Sequence, residues 1–111
     1  MTGDAIGHGR VVFTLRLKPG MSDEFLKAYE GIRYEVAQGV AGHILDQVCQ
    51  SPEDPDFWCI TSEWESLEDF LAWERTEEHR ELARPLRECV AEGNSMKFVV
   101  REQTSAGAET V

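Results

Sequence analysis

Residues 43–64, HILDQVCQSPEDPDFWCITSEW, decide the fold, because two eight-residue runs of strand-forming character flank a polar connection. The connection, SPEDPD at 51–56, combines two prolines with three acidic residues and favours a turn. In the second run, alternate positions place four residues on one face of a strand: Trp58, Ile60, Ser62 and Trp64. A connection as short as six residues usually joins strands that are neighbours in the sheet, so the two runs are expected to form an antiparallel hairpin.

Upstream of this hairpin, the sequence predicts a strand and then a helix. The run Arg10–Lys18 alternates, and its apolar face holds Val11, Phe13, Leu15 and Leu17. Pro19-Gly20 ends the strand, and Ser22 is expected to cap the following helix. The apolar stripe of that helix consists of Phe25, Tyr29, Ile32 and Val36.

Downstream, Ser66 is expected to cap a helix that extends through Trp73 and restarts at Thr76. Pro85 is expected to kink or restart it again. The inner stripe of this second helical stretch holds His79, Leu82, Leu86 and Cys89. Gly93-Asn94 is predicted to end the stretch, which leaves residues 96–102 as the last strand.

The predicted order is therefore βαββαβ, which is the order of a ferredoxin-like α+β sandwich with one four-stranded antiparallel sheet. We expect one domain at residues 10–102, with flexible tails at residues 1–9 and 103–111. Helices would cover only one face of the sheet. The other face carries Val12, Thr14, Cys59 and Thr61. Since that face is too apolar to remain in water, a homodimer that buries it is expected.

Composition excludes several classes of partner. The net charge of −10 disfavours nucleic acid and anionic membranes, which bind basic proteins. No apolar run is long enough to span a bilayer, and no signal peptide is evident, so a cytoplasmic protein is expected. The three cysteines are expected to be buried free thiols. No ligand spacing suggests a metal site, and no glycine-rich loop suggests a tightly bound nucleotide cofactor.

Aromatic residues are the candidate ligand-binding set. Six of them are expected to converge between the helices and the sheet: Phe13, Tyr29, Trp58, Trp64, Phe70 and Trp73. They could form an ordinary core, but three tryptophans facing one gap exceed what packing requires. A planar aromatic ligand would stack well among them.

Two histidines are candidate acids or bases, because imidazole titrates near neutral pH. His79 follows a helix start and lies on the inward stripe. The alternative to a catalytic role is that His79 only pairs with a neighbouring carboxylate at the helix end. His43 follows Gly42, and the alternative is a loop histidine that faces solvent. Arg33 on the first helix is a further candidate for binding phenolic oxygens, although most helix charges are solvated.

The segment from Ile60 to His79 resembles the antibiotic biosynthesis monooxygenase family. The resemblance depends on a strand that ends in Trp64, the Glu65-Ser66 helix start, Phe70 and the Glu78-His79 pair. Three upstream motifs also fit: Lys18-Pro19-Gly20, Gly42-His43 and Asp54-Pro55. It covers roughly residues 10–102 and implies a dimeric α/β barrel. The scaffold hosts several activities, so the resemblance is more specific for fold than for chemistry.

Within that family, this sequence is most similar to small metal-free oxygenases of aromatic polyketide biosynthesis. The resemblance implies a phenolic polycyclic polyketide as substrate, molecular oxygen, and quinone formation or ring cleavage. The reaction would need either no cofactor or reduced flavin (FADH2 or FMNH2) as a diffusible cosubstrate, in which case a flavin reductase is an implied partner. Alternatives on the same scaffold are a polyketide cyclase and a non-catalytic protein that binds aromatic ligands.

Two departures from family patterns bear on these alternatives. Haem-degrading members use an Asn, a Trp and a ligand His, and only Trp73 matches; Phe13 and Ala83 occupy the other two positions. Haem degradation is therefore disfavoured. The anthrone oxygenases place an Asn four residues before the strand-ending Trp, and that position is Ile60 here.

Overall fold

A computed structural model describes residues 5–109, so parts of both predicted tails, residues 1–4 and 110–111, lie outside the described residues. Seven elements follow one another: β1 Gly9–Leu17, α1 Ser22–Gly39, β2 His43–Gln50, β3 Phe57–Trp64, α2 Leu67–Glu74, α3 Glu77–Glu88 and β4 Val90–Val99. The strands form one antiparallel sheet in the order β2-β3-β1-β4. This is a ferredoxin-like α+β fold, as predicted, with the second helical stretch divided in two.

The helices pack against one face of the sheet, where two clusters of buried side chains form the core. One cluster joins β1 and β3 to α1 and α2, through Val11, Val36, Trp64, Phe70 and Trp73. The other lies around the start of α1 and consists of Leu15, Leu17, Phe25, Trp58 and Cys89. By contrast, α3 has no fully buried residue, so it stands further from the core than α1 and α2.

Hydroxyl side chains begin the two helices that follow β3. Ser66 Oγ accepts a hydrogen bond from the backbone N–H of Asp69 at 3.2 Å, which confirms the predicted cap of α2. Thr76 Oγ1 accepts from the backbone N–H of His79 at 3.0 Å at the start of α3. The prediction for Ser22 is wrong: it is already the first residue of α1, whose N-cap Met21 makes no side-chain capping bond.

The last strand is longer than predicted. It begins at Val90, so Gly93-Asn94 lies inside β4 and does not end the helix, and the strand ends at Val99. A Cβ at position 93 would approach Phe13 Cζ to 2.8 Å, so glycine here permits close packing of β4 beside the Phe13 ring. Pro85 does not restart the helix either, because α3 continues through it.

A β-bulge lies at the start of β2. His43 lies opposite Trp64 and Leu45 lies opposite Glu63, so Ile44 is an extra residue in the ladder. Beyond the bulge, Asp46 lies opposite Ser62. The bulge therefore returns Asp46 to the same face of the sheet as His43.

The face of the sheet that the helices leave uncovered carries Val12, Thr14, Cys59 and Thr61, as predicted. Its exposed large apolar residues are Leu45, Phe57 and Phe98. The three cysteines are free, but the expectation that all are buried is wrong: Cys89 is buried, Cys59 is half-buried and Cys49 is exposed. The last two are cross-strand neighbours on this uncovered face. None of the helices within residues 5–109 has the length and apolar character needed to cross a membrane.

Candidate functional site

Two adjoining cavities lie between the sheet and the helices. The larger has a volume of about 530 Å³ and the smaller about 130 Å³. Both are bordered by the same five residues, Ile60, Ser62, His79, Ala83 and Leu86. Three of these belong to α3, so the inner stripe of that helix forms a wall of the cavities and this accounts for its lack of fully buried side chains.

The larger cavity is mainly apolar and aromatic. Its aromatic lining comes from β1, α1 and α2, through Phe13, Phe25 and Phe70. Charged residues also border it: Glu74, Arg87 and Glu92. A volume of this size falls in the range of small-molecule sites, and an aromatic lining with a few polar groups suits a flat, mostly apolar ligand.

The smaller cavity is lined by aromatic and titratable side chains. Its lining includes Tyr29, Arg33, His43, Asp46, Trp64 and Trp73. The Arg33 guanidinium lies 5.6 Å from the centre of the Tyr29 ring, which is within cation–π range. Titratable groups and hydrogen-bond donors therefore border the apolar site on one side.

His79 borders both cavities. Its backbone is fixed by the Thr76 cap, and its ring packs edge-on against Trp73 with 5.4 Å between centroids. Burial lowers the pKa of His79 below its ordinary 6.5; Glu74 opposes this shift, and Arg87 and Arg80 add to it. The imidazole is therefore neutral at pH 7 and can accept a proton.

His43 and Asp46 form a pair in the smaller cavity. His43 Nε2 lies 2.8 Å from Asp46 Oδ1, and the His43 side chain is only 6% exposed. Although the distance would suit an ion pair, burial lowers the pKa of His43 and raises the pKa of Asp46, so both shifts disfavour charge. The arrangement that suits neutral pH is a neutral imidazole that donates its Nε2–H to the carboxylate, which leaves Nδ1 as the basic nitrogen.

Trp64 contacts one lining residue of each cavity. It packs edge-on against His43 and Phe70, at centroid distances of 5.2 Å and 5.3 Å. Its indole N–H donates a hydrogen bond of 2.9 Å to Ser62 Oγ. Trp64 is 2% exposed, so it belongs to the core and lines the smaller cavity at the same time.

The structure brings together eight of the nine residues predicted for the site. Phe13 and Phe70 line the larger cavity, His79 borders both, and the other five line the smaller: Tyr29, Arg33, His43, Trp64 and Trp73. Trp58 lies elsewhere. It packs against Phe25 in the second core cluster and donates its indole N–H to the carbonyl of Pro55. Neither cavity is lined by it.

Several polar residues of the site were not assigned a role from the sequence, among them Glu74, Arg87 and Glu92 at the larger cavity, and Asp46 and Ser62. Asp46 is three residues after His43, a spacing that puts two side chains on opposite faces of a regular strand, and only the bulge brings them together. Ser62 did carry a signal, because it is a polar residue between Ile60 and Trp64 on an otherwise apolar strand face. Within residues 5–109, no three His, Cys, Asp or Glu side chains are grouped to hold a metal ion.

The sequence is similar to those of longer Streptomyces proteins. A 42.8 kDa protein in the whiE locus of Streptomyces coelicolor is 48% identical over 98 residues, which are 88% of this chain and 24% of that protein. Polyketide synthase CurD of Streptomyces cyaneus is 41% identical over 106 residues, 93% of this chain and 28% of that protein. The chain thus spans about a quarter of the length of these relatives.

Solved structures confirm the fold. The crystal structure of SnoaB, a cofactor-independent oxygenase from Streptomyces nogalater, superimposes with a TM-score of 0.77 over 87% of this chain and 96% of that chain. The identity is 13%, so the likeness concerns the fold alone. The sequence profile of the antibiotic biosynthesis monooxygenases matches residues 9–85, well over half of the chain. The chain belongs to the antibiotic biosynthesis monooxygenase family.

Proposed function

We propose that this protein is an oxygenase that acts on a phenolic polycyclic polyketide intermediate of antibiotic biosynthesis. The observation that carries the proposal is the aromatic cavity of about 530 Å³ whose wall includes a neutral, half-buried histidine, His79. The relationship to a Streptomyces polyketide synthase and the shared fold of a cofactor-independent oxygenase support it.

The chemistry follows from the electronic state of dioxygen. Ground-state oxygen is a triplet and reacts poorly with closed-shell molecules, so an electron-rich anion must form first. His79 would accept the proton that leaves the bound phenol or its acidic carbon, and the anion would transfer an electron to oxygen. In the quinone-forming case, a ring CH2 and O2 give a ring C=O and H2O, which balances without a further reductant.

Aromatic residues would bind the ring system and keep water away from the anion. Phe13 and Phe70 would contact the polycycle in the larger cavity, while Trp64 and Trp73 would support the polar end next to His79. His43, with Asp46 behind it, is the second candidate base. The tight binding of a cofactor is not part of the proposal: reduced flavin, if the reaction is a ring cleavage that needs it, would diffuse in from a flavin reductase.

We further propose that the protein is a homodimer of the dimeric α/β barrel type. The uncovered face of the sheet exposes Leu45, Phe57 and Phe98 around Val12 on the central strand β1. Burial of such a face stabilises the associated state by roughly 25 cal/mol for each Å² of apolar surface removed from water. A second copy of the same sheet offers a matching apolar surface.

The activity test measures oxygen directly. Purified protein is mixed with 1,8-dihydroxyanthrone, a phenolic tricycle, in an oxygen electrode, and formation of the quinone is followed by absorbance with and without reduced FMN. Oxygen uptake that is proportional to enzyme, one O2 for each quinone, is the expected result. A product that forms without oxygen uptake would identify a cyclase. Binding of the tricycle and related phenols without any turnover would identify an accessory protein.

A further inference from the structure

Within residues 5–109, Ser62 is the only polar or charged residue that is buried as a whole, backbone and side chain together. It lies on β3 between Ile60 and Trp64, and it belongs to the wall that the two cavities share. Its Oγ accepts the indole N–H of Trp64 at 2.9 Å. A buried hydroxyl group destabilises the protein unless its donor and acceptor positions form hydrogen bonds.

The Ser62 hydroxyl has one donor that no acceptor among the described residues uses. A serine hydroxyl can accept two hydrogen bonds and donate one, and Trp64 uses one of the acceptor positions. Across residues 5–109, Ser62 Oγ makes no second hydrogen bond; Asp46, directly opposite on β2, pairs instead with His43. The hydroxyl hydrogen is therefore available to an oxygen atom in the cavities.

The bond from Trp64 also strengthens this donor. An N–H that donates to a hydroxyl oxygen draws electron density from it and polarises its O–H. In a site that excludes water, such a donor stabilises a negative oxygen much more than it stabilises a neutral one. The group that gains most from Ser62 is thus an anionic oxygen.

His79 borders the same shared wall. Once a phenol or enol in the cavities has lost its proton to His79, its oxygen carries a negative charge inside a site whose wall includes Ser62. We propose that Ser62, polarised by Trp64, donates a hydrogen bond to the phenolate or enolate oxygen of the bound substrate. This inference deepens the proposed function and rests on the same cavity, but it concerns recognition of the anion and not its reaction with oxygen.

A dye separates recognition from turnover. Alizarin (1,2-dihydroxyanthraquinone) is a flat phenol that already contains the quinone, and its phenolate absorbs at longer wavelength than the neutral form. Titration of the protein-bound dye with pH gives the pKa of the bound phenol. Wild-type protein should lower it relative to free dye, and Ser62→Ala should raise it by about one unit, which is roughly a tenfold loss of preference for the phenolate.

Other charged or titratable groups border the cavities and influence the same titration. They come from α1, β2, α2, α3 and β4 and are Tyr29, Arg33, His43, Asp46, Glu74, His79, Arg87 and Glu92. All of them remain in Ser62→Ala, so the difference between the two proteins isolates the hydroxyl. The matched comparison is Ser95→Ala, which removes an exposed serine hydroxyl from the edge of the larger cavity and should shift the dye pKa far less.

Three variants protect the experiment against a folding artefact. Ser62→Thr keeps a hydroxyl on the strand and should restore most of the wild-type dye pKa. Ser62→Cys keeps the approximate volume with a much weaker donor and should resemble Ser62→Ala. Trp64→Phe keeps an aromatic ring but removes the polarising N–H, so it should shift the pKa in the same direction by a smaller amount.

The result that overturns the proposal is an unchanged dye pKa in Ser62→Cys and Ser62→Ala, or an equal shift in Ser95→Ala. Failure of the proposed function gives a different pattern, because oxygen uptake would be absent while the dye titration still depended on Ser62. An intact oxygenase whose dye titration ignores Ser62 would refute the role of Ser62 alone.

Discussion

Replacement of His79 by alanine tests the proposed chemistry most directly. The side chain borders both cavities, and its neutral imidazole is the proposed proton acceptor. Removal of a general base usually lowers the rate by roughly 10²- to 10⁴-fold. At about 1.36 kcal/mol for each factor of ten, this corresponds to a rise of about 2.7 to 5.4 kcal/mol in the activation barrier.

The structural cost of the same substitution is smaller. The truncation removes one edge-on ring contact, the one between His79 and Trp73, and such contacts contribute about 0.5–1.5 kcal/mol. The backbone N–H that Thr76 caps remains in the alanine variant. A small domain is stable by about 5–15 kcal/mol, so most molecules stay folded, and a hundredfold loss of rate cannot come from unfolding.

The assay is kcat/KM for oxygen uptake as a function of pH. The pKa of His79 lies below its ordinary 6.5 because the ring is buried. A base acts in its neutral form, so the rate should be constant just above pH 6.5 and should fall at lower pH as His79 is protonated. In His79→Ala this acidic limb should vanish along with most of the rate.

His43→Ala is the matched control, since its pKa is lowered by burial as well and it lines the smaller cavity. We expect it to keep the acidic limb. A full rate and an intact limb in His79→Ala, together with their loss in His43→Ala, would show that the base is His43 with Asp46. Full activity in both variants would refute acid–base catalysis by either histidine.

Three further outcomes are expected. Trp73→Ala should weaken the binding of alizarin by about 1–3 kcal/mol, as measured by isothermal titration calorimetry. Trp58→Ala removes a buried indole outside the two cavities and should leave the affinity for alizarin unchanged. Sedimentation equilibrium at micromolar concentration should give a dimer for the wild type and a monomer for Val12→Glu, and a monomeric wild type would refute the predicted interface. Purified protein should contain no stoichiometric metal and should show no Soret band after haem addition and desalting, while retention of one haem per chain would favour the haem-degrading reading.

Much of the fold could be predicted because hydrophobic periodicity reports on the sheet and helix faces. The alternation in β1 and β3 placed Val11 and Trp64 on the buried side, where the structure has them. The polar, proline-containing turn at 51–56 predicted that β2 and β3 form a hairpin. The start of β4 could not be read in this way, because Gly93 signals a chain break in sequence but serves in the structure to admit the ring of Phe13.

The pair of His43 and Asp46 was less predictable for a different reason. Periodicity assumes a regular strand, and a single extra residue reverses the faces of everything beyond it. The bulge at Ile44 does this in β2, and it turns two unrelated positions into the hydrogen-bonded pair of His43 and Asp46. The residue types in that strand do not predict the bulge.

The sequence left open whether the tryptophans are core or ligand-binding residues, and the structure makes the two roles compatible for Trp64. Trp64 is almost completely buried, yet it lines the smaller cavity and its indole N–H donates a hydrogen bond to Ser62. Truncation of such a residue removes packing, cavity wall and polarisation together, so a loss of binding in Trp64→Ala could not be attributed to stacking. Substitutions at Ser62 and Trp73 separate these effects. Ser62 contributes a small hydroxyl group, whereas Trp73 contributes a ring that, within residues 5–109, makes no hydrogen bond to the shared wall. The binding energy of the ring and the recognition of the anion can therefore be measured at different residues, although Trp64 contacts the surroundings of both through Ser62 and the smaller cavity.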